Sequence, residues 1–232
     1  MTNRLQDNLE AVRTAVQQAA ANSQRKADAV TLIAVSKTWP AADVQALAKL
    51  GVRDFGENRV QEAIPKIDSL SDPNINWHLI GSLQTNKVRL IFPKVQLIHS
   101  LDRWSLAKEL ERCAQRLGRS AECLVQVNIA GETTKAGLPP SLVKEFVETV
   151  SADCPHVRIK GLMTIAPRAD NPEDVRVYFR EMKALFTDLA AIESGCTMQH
   201  LSMGMSGDFK VAIEEGATMV RVGTAIFGRR EA

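Results

Sequence analysis

The sequence predicts a single (β/α)8 barrel, a TIM barrel, preceded by an extra helix at the amino terminus. Short apolar segments alternate with helical patterns along the chain, which is typical of parallel strands joined by helical crossovers. Eight such strand–helix pairs can be counted. A chain of 232 residues also has the length that a barrel of eight units requires. The alternative is an open doubly wound sheet, and the count of eight favours closure.

The leading helix is predicted over about residues 3–21. Its apolar side chains recur at steps of three and four, which places them on one face. These side chains are Leu5, Leu9, Val12, Val16 and Ala19. No linker, repeat or low-complexity segment divides the rest of the chain, so we predict one domain over residues 1–232.

The predicted strands are short, and most of them end in polar or glycine-containing segments. In chain order they cover residues 31–37, 53–56, 77–80, 95–99, 123–128, 157–163, a segment ending at 200–202, and 219–222. Helical patterns follow at about 41–50, 57–70, 83–91, 103–117, 141–150, 172–191 and 206–216, and a last turn opens at 223–224.

Composition excludes several classes of function. The net charge of +2 gives no electrostatic case for binding nucleic acid or a membrane surface. Four dispersed cysteines indicate reduced thiols, and the four histidines lack the spacing of zinc ligands, so no metal site is expected. The amino terminus lacks the apolar core of a signal peptide, and no segment is long and apolar enough to span a membrane. We therefore expect the cytoplasm.

Lys37 is the first candidate for chemistry. It lies at the end of the first predicted strand, just before Pro40, which suits the first turn of a helix. Parallel α/β proteins place their active sites at this edge of the sheet. A lysine held in apolar surroundings has a destabilised ammonium, and its neutral amine can form a Schiff base with a carbonyl. A solvated lysine at a strand end remains the alternative.

Two loops have the composition of a phosphate site. Ser202–Gly207 follows the seventh strand and Gly223–Thr224 follows the eighth, where barrels of this class often hold phosphate. Glycine lets the backbone approach an anion, and amides at a helix start point towards it. Arg221 is the single charge in an apolar strand, so it needs a partner, with a barrel carboxylate as the simplest.

Other polar residues at strand ends are weaker candidates, because most such residues cap helices or satisfy the core. They are Glu57, Asn58, Asn128 and His200, together with Gln84, Asn86 and Lys87 at the start of a helix.

The motifs together resemble the pyridoxal phosphate homeostasis proteins, single-domain relatives of the alanine racemase barrel. The matching stretches follow the family's order along nearly the whole chain. They are Ala34–Thr38, Phe55–Asn58, Trp77–Gly81 with Leu83–Gln84 and Asn86–Lys87, Lys160–Met163, Leu201–Ser206 and Val220–Gly228.

The resemblance implies a barrel of the alanine racemase N-terminal type that binds pyridoxal 5′-phosphate (PLP), with Lys37 holding it as an internal aldimine. It implies that Ser206, Gly223 and Thr224 cradle the phosphate and that Arg221 faces the pyridine nitrogen. Asn58 and Ser202 would lie near the cofactor. Gly207 departs from the family pattern, because some relatives carry an acidic residue there.

The resemblance also implies a carrier with no catalytic residues, which supplies or buffers PLP and has PLP-dependent apoenzymes as partners. An arginine at the pyridine nitrogen disfavours its protonation and weakens the electron sink. The related racemases add a second domain and take a tyrosine base from a partner subunit. Here the sequence stops after strand eight and its one tyrosine, Tyr178, falls in a predicted helix, so we expect a monomer without racemisation. A weak racemase and a phosphosugar-type barrel enzyme are the alternatives.

Overall fold

Eight parallel strands close into a barrel in the computed structural model, which describes residues 2–70, 72–191 and 196–229. Each strand pairs with its neighbour in sequence, and β1 pairs with β8, Ile33 lying opposite Arg221. The strands are β1 Thr31–Val35, β2 Asp54–Glu57, β3 Asn76–Leu79, β4 Leu97–Leu101, β5 Ala121–Val127, β6 Val157–Thr164, β7 His200–Ser202 and β8 Met219–Val222. The predicted fold class is confirmed.

Helices follow the strands on the outside of the barrel. They are α1 Thr2–Asn22, α2 Ala41–Lys49, α3 Val60–Ser69, α4 Val88–Ile91, α5 Trp104–Leu117, α6 Pro140–Asp153, α7 Arg176–Ala190, α8 Phe209–Glu214 and α9 Thr224–Phe227. In the described ranges, no helix combines the length and the apolar character that crossing a bilayer requires.

The leading helix α1 is part of the outer layer. All five side chains of its predicted apolar stripe are buried. It packs against α8, α9 and α2, and Asn8 donates to the carbonyl of Ile226 at 2.9 Å. Arg25, just beyond it, donates to the carbonyls of Ile213 and Ala217. Because α9 has only four residues, α1 supplies the apolar surface that covers this part of the barrel.

The barrel interior changes from apolar to polar along the strands. Ile33, Leu97, Leu124, Met163 and Met219 form a buried cluster separate from the main core. Side chains two positions apart on a strand share a face. His99, Gln126 and Arg221 lie two residues beyond Leu97, Leu124 and Met219, so they point into the barrel nearer its carboxyl end.

Several element boundaries differ from the sequence prediction. β1 ends at Val35, two residues before Lys37. The helix predicted over 83–91 is reduced to the four residues of α4, because Thr85–Lys87 before it forms a 3-10 turn, as does Phe92–Lys94 after it. The helix predicted over 172–191 begins as a 3-10 turn, Pro172–Val175, and becomes α-helical at Arg176.

Candidate functional site

A cavity of about 740 Å³ opens at the carboxyl ends of the strands. This is the end of a (β/α)8 barrel that carries active sites, and the volume is within the usual range for a small-molecule site. Its wall combines apolar, hydroxyl, amide and basic residues that follow seven of the eight strands. Among them are Val35, Lys37, Asn58, Ile80, Gly81, Ser82, Gln126, Asn128, Lys135, Arg168, Ser206, Gly207, Arg221, Gly223 and Thr224.

Lys37 lines this cavity from the loop after β1 and is half-buried. The next residue, Thr38, has a φ of +68°, which is costly for a β-branched side chain. The indole of Trp39 stacks on the ring of Phe227, with centroids 5.5 Å apart. The turn after β1 is therefore held against α9, which brings the lysine loop next to the Gly223–Thr224 loop.

A buried charged cluster lies directly behind Lys37. Lys66 of α3 donates to the carboxylate of Glu57 at 2.5 Å and to the carbonyl of Ser36 at 2.8 Å. The Ser36 hydroxyl donates to the same Glu57 oxygen at 2.6 Å. Burial raises the pKa of Glu57, against the opposing effect of Lys66 and Ser36. The cluster joins the ends of β1 and β2 to α3 and thereby fixes the residue before Lys37.

Asn58, the residue after Glu57, is held at the cavity wall by a close backbone approach. A Cβ at Gly81 would lie 2.2 Å from the carbonyl oxygen of Asn58. Only glycine leaves room for this contact between the loops after β2 and β3. Gly81 therefore determines where Asn58 lies.

The two glycine and hydroxyl loops meet on the opposite side. The Ser206 hydroxyl accepts the backbone N–H groups of Gly223 and Ala225, both at 3.3 Å. Gly204 has a φ of +92°, and a Cβ at this residue would lie only 2.9 Å from the Cα of Phe209. Glycine therefore lets this loop pack closely against α8. Its carbonyl accepts the N–H of Arg221 at 3.0 Å. Ser206 and the start of α9 consequently share one corner of the cavity.

Arg221 is 4% exposed, and burial lowers its pKa to about 10, so it stays a cation at neutral pH. Its guanidinium donates to the Ser202 hydroxyl at 2.6 Å and to the Thr164 carbonyl at 2.8 Å. The simplest expectation from sequence was an ion pair between Arg221 and a barrel carboxylate. No carboxylate in the described ranges forms one. Neutral oxygen acceptors hold this buried charge instead.

The outer wall carries further polar groups. The Asn128 amide donates to the carbonyls of Glu132 and Lys135, and its buried Oδ1 has no hydrogen-bond partner within the described part of the chain. Lys135 pairs with Glu132 at 2.6 Å and donates to the Ala166 carbonyl. Arg168, also at this wall, is exposed.

Comparison with known proteins identifies the family. Residues 3–231 match the family model described as alanine racemase, N-terminal domain. The chain is 45% identical over 216 residues to the pyridoxal phosphate homeostasis protein of Aquifex aeolicus, covering 93% of this chain and 94% of that protein. It is 37% identical to the protein of the same name from Escherichia coli, covering 99% and 98%.

The chain belongs to the pyridoxal phosphate homeostasis protein family. The relatives' shared name designates a homeostasis protein and no enzyme. PipY of Synechococcus elongatus, solved with PLP bound, superimposes with a TM-score of 0.81 at 40% identity, covering 92% of this chain and 99% of PipY. Alanine racemase of Clostridium difficile, at 15% identity and a TM-score of 0.76, covers 99% of this chain and 58% of the racemase, and shows the shared barrel fold.

The structure brings six of the seven residues predicted for the site to one cavity. Lys37, Asn58, Ser206, Arg221, Gly223 and Thr224 all line it. Ser202 is fully buried and lies behind Arg221 as its hydrogen-bond acceptor. Of the weaker candidates, Asn128 lines the cavity, whereas Glu57 belongs to the cluster with Lys66. The roles of all these residues towards a cofactor remain predictions.

Sequence reasoning missed four residues that support the site. Lys66, His78, His99 and Thr164 are all buried and hydrogen-bonded to site residues or to each other. Lys66 gave no signal, because a lysine on a helix is usually solvated. The alternation of side chains along β3 and β4 could have placed the two histidines inside the barrel, but their partners come from strands distant in sequence.

Proposed function

We propose that this protein binds pyridoxal 5′-phosphate in the cavity, attaches it to Lys37, and supplies or buffers it in the cytoplasm as a monomer without catalysis of its own. One observation carries the proposal. A half-buried lysine, a buried arginine and a glycine–hydroxyl corner line the same cavity in a chain whose relatives are named for this cofactor.

The residues present fit the chemical groups of the cofactor. Ser206, Gly223 and Thr224 would hold the phosphate, because the 3.3 Å bonds to the Ser206 hydroxyl are long and leave the N–H groups available to a stronger acceptor. Arg221 has more N–H donors than its two bonds use, and we propose that it faces the pyridine nitrogen. Asn58 and the unpartnered Asn128 Oδ1 offer polar contacts at the rim.

Lys37 suits reversible storage. When bound, the cofactor supplies an aldehyde carbon that the lysine amine can attack, with loss of one water. The lysine is reachable from solvent, since it is half-buried in a wide cavity. A free aldehyde would modify amines elsewhere, so a reversible bond to one lysine keeps its free concentration low. We propose PLP-dependent apoenzymes as the recipients.

The cavity wall argues against the alternative of an amino-acid racemase. Two-base racemisation needs a second proton carrier opposite the lysine, which in the related racemases is a tyrosine. Tyr178 lies on α7 and packs against the core, away from the cavity. Lys135 lines the wall, but its amine is already engaged by the Glu132 carboxylate and the Ala166 carbonyl.

Absorption spectroscopy and mass mapping test the proposal together. Incubation with PLP is expected to give a yellow protein whose colour borohydride removes, leaving a phosphopyridoxyl group on Lys37. The variant Lys37→Ala should stay unlabelled, whereas Lys135→Ala, which removes a lysine from the same cavity, should label normally. Labelled protein that is not reduced should restore activity to an apoenzyme added in excess.

Two results would overturn the proposal. A wild-type protein that remains colourless and unmodified at millimolar PLP would remove the cofactor role. Sustained conversion of an L-amino acid to its D-form, lost in Lys37→Ala, would replace the carrier by the racemase.

A further inference from the structure

A chain of hydrogen bonds crosses the barrel interior from Asp54 to Arg221. His78 Nε2 lies 3.0 Å from Asp54 Oδ1, and His78 Nδ1 lies 3.0 Å from His99 Nε2. His99 Nδ1 lies 3.1 Å from the Ser202 hydroxyl, which accepts from Arg221 at 2.6 Å. Asp54 begins β2 at the amino-terminal end of the barrel, whereas Arg221 lines the cavity at the other end.

The groups at the two ends of this hydrogen-bond chain require the same direction of donation along it. A guanidinium only donates, so the Ser202 oxygen accepts from Arg221 and its own hydrogen is free to go to His99 Nδ1. His99 then carries its proton on Nε2 and donates to His78 Nδ1. His78 in turn carries its proton on Nε2 and donates to the Asp54 carboxylate, which only accepts.

The surroundings favour this uncharged arrangement. His78 and His99 are 3% and 0% exposed. Burial, followed by the nearby His78 and Arg221, holds the pKa of His99 well below its usual range, so its ring is neutral. A charged imidazole at His99 would place a second buried cation close to Arg221, with no carboxylate among the hydrogen-bond partners of His99.

We infer that Asp54, His78, His99 and Ser202 form a directed hydrogen-bond chain that positions the Arg221 guanidinium in the cavity. The inference deepens the proposed function, on which its link to the cofactor rests. Because the Ser202 hydrogen is committed to His99, a lone pair of the Ser202 oxygen points to Arg221. Without His99 the hydroxyl could rotate, and Arg221 would keep only the Thr164 carbonyl as a fixed acceptor. These four are positioning residues and not catalytic ones.

Nitrogen-15 NMR of the cofactor-free protein, labelled at histidine, tests the direction of the chain without reference to PLP. At pH 7 both His78 and His99 should show a protonated Nε2 and an unprotonated Nδ1. A protonated Nδ1 on either ring, or an imidazolium, would contradict the directed chain.

Substitution of His99 tests whether the chain positions Arg221. His99→Leu removes both hydrogen bonds, whereas His99→Gln retains one donor and one acceptor. We expect His99→Leu to weaken PLP affinity about tenfold and to shift the absorption maximum and pH titration of bound PLP. His99→Gln should restore most of both. Removal of a histidine outside the barrel, by His156→Leu, should change neither.

Asp54 provides a second variant in case His99→Leu fails to fold. Asp54→Leu removes the acceptor at the far end of the chain, outside the cavity, and is expected to produce the same spectral shift with a two- to threefold loss of affinity. Glu122→Leu, an acidic residue at the same end of the barrel, is its control. If wild-type protein is labelled on Lys37 but both chain variants bind PLP with wild-type affinity and spectrum, the positioning role is wrong and the proposed function stands. If wild-type protein takes up no PLP, the proposed function fails. The NMR result still tests whether the hydrogen-bond chain has the inferred direction.

Discussion

The two sides of the cavity support their basic residues in different ways. Lys37 is half-buried on a turn with a positive φ, and the charged pair of Glu57 and Lys66 lies behind it. Arg221 is buried on a strand and donates to neutral oxygens, with two buried histidines behind them. The comparison shows that one barrel can fix one basic residue through the backbone of its turn and another through hydrogen bonds to its side chain.

The largest effect is expected from breaking the charged pair. Lys66→Met leaves the Glu57 carboxylate buried without a counter-charge, and should lower the free energy of unfolding by about 3–5 kcal/mol. The double variant Glu57→Gln with Lys66→Met should regain most of that loss, because no charge is then left unpaired. Urea unfolding of the three proteins measures this, and a double variant no more stable than Lys66→Met would contradict the account.

Removing the neutral acceptor on the other side should cost less. Ser202→Ala deprives both Arg221 and His99 of a partner, and is expected to lower the free energy of unfolding by about 1–3 kcal/mol. Ser100 is a matched control, because it is equally buried and its hydroxyl has no partner in the described part of the chain. Ser100→Ala should change stability by less than about 0.5 kcal/mol. Equal losses in the two variants would show that burial alone, and not the chain, determines the cost.

The buried, neutral His99 predicts a loss of stability in acid. Burial lowers the pKa of His99 in the folded protein, so below about pH 6.5 the unfolded state binds a proton that the folded state does not. The free energy of unfolding should therefore fall as pH drops from 7 towards 5, by at most about 1.4 kcal/mol per pH unit for this proton.

Comparison with His99→Gln isolates that contribution. The other histidine with a lowered pKa, His200, is present in both proteins and cancels in the difference. Urea unfolding at pH 7, 6 and 5 should show a shallower acid slope in the variant. Parallel slopes would mean that His99 is protonated in the folded state and that the chain is not neutral.

The smallest effect concerns the turn that carries Lys37. Thr38→Gly relieves the positive φ of a β-branched residue but adds freedom to the unfolded chain, so we expect a net gain of no more than about 1 kcal/mol. Gln24, with a φ of 57°, is the comparison outside the site. Its side chain is unbranched, so Gln24→Gly should gain less. A Thr38→Gly protein clearly less stable than wild type would show that the turn stores no strain.

Much of this site could be predicted from local sequence. Lys37, Ser206, Gly223 and Thr224 each come after a predicted strand, and strand ends in a parallel barrel converge on one face. Alternation of strands with helices was sufficient for the fold class, and apolar residues at steps of three and four were sufficient for the stripe of α1. The exact strand ends were not, because pairing with neighbouring strands decides where a strand stops.

The partners of the buried charges could not be predicted in this way. The position of Arg221 in an apolar strand indicated that its charge needs a partner. An ion pair with a carboxylate was expected, but Arg221 donates to neutral oxygens. Ser202 was expected near the cofactor; in the structure it lies behind Arg221, and its role towards a cofactor stays a prediction. His78 and His99 looked like isolated histidines, and only closure of the barrel places them 3.0 Å apart.

The sequence by itself therefore determined the order of strands and helices, the end of the barrel that carries the cavity and the lysine that lines it. These follow from local hydrophobic periodicity and from which residue types stand at strand ends. The tertiary structure decided which buried polar groups meet. Hydrogen bonds between side chains on different strands depend on strand register and on closure of the sheet. No local pattern in the sequence indicates the register or the closure.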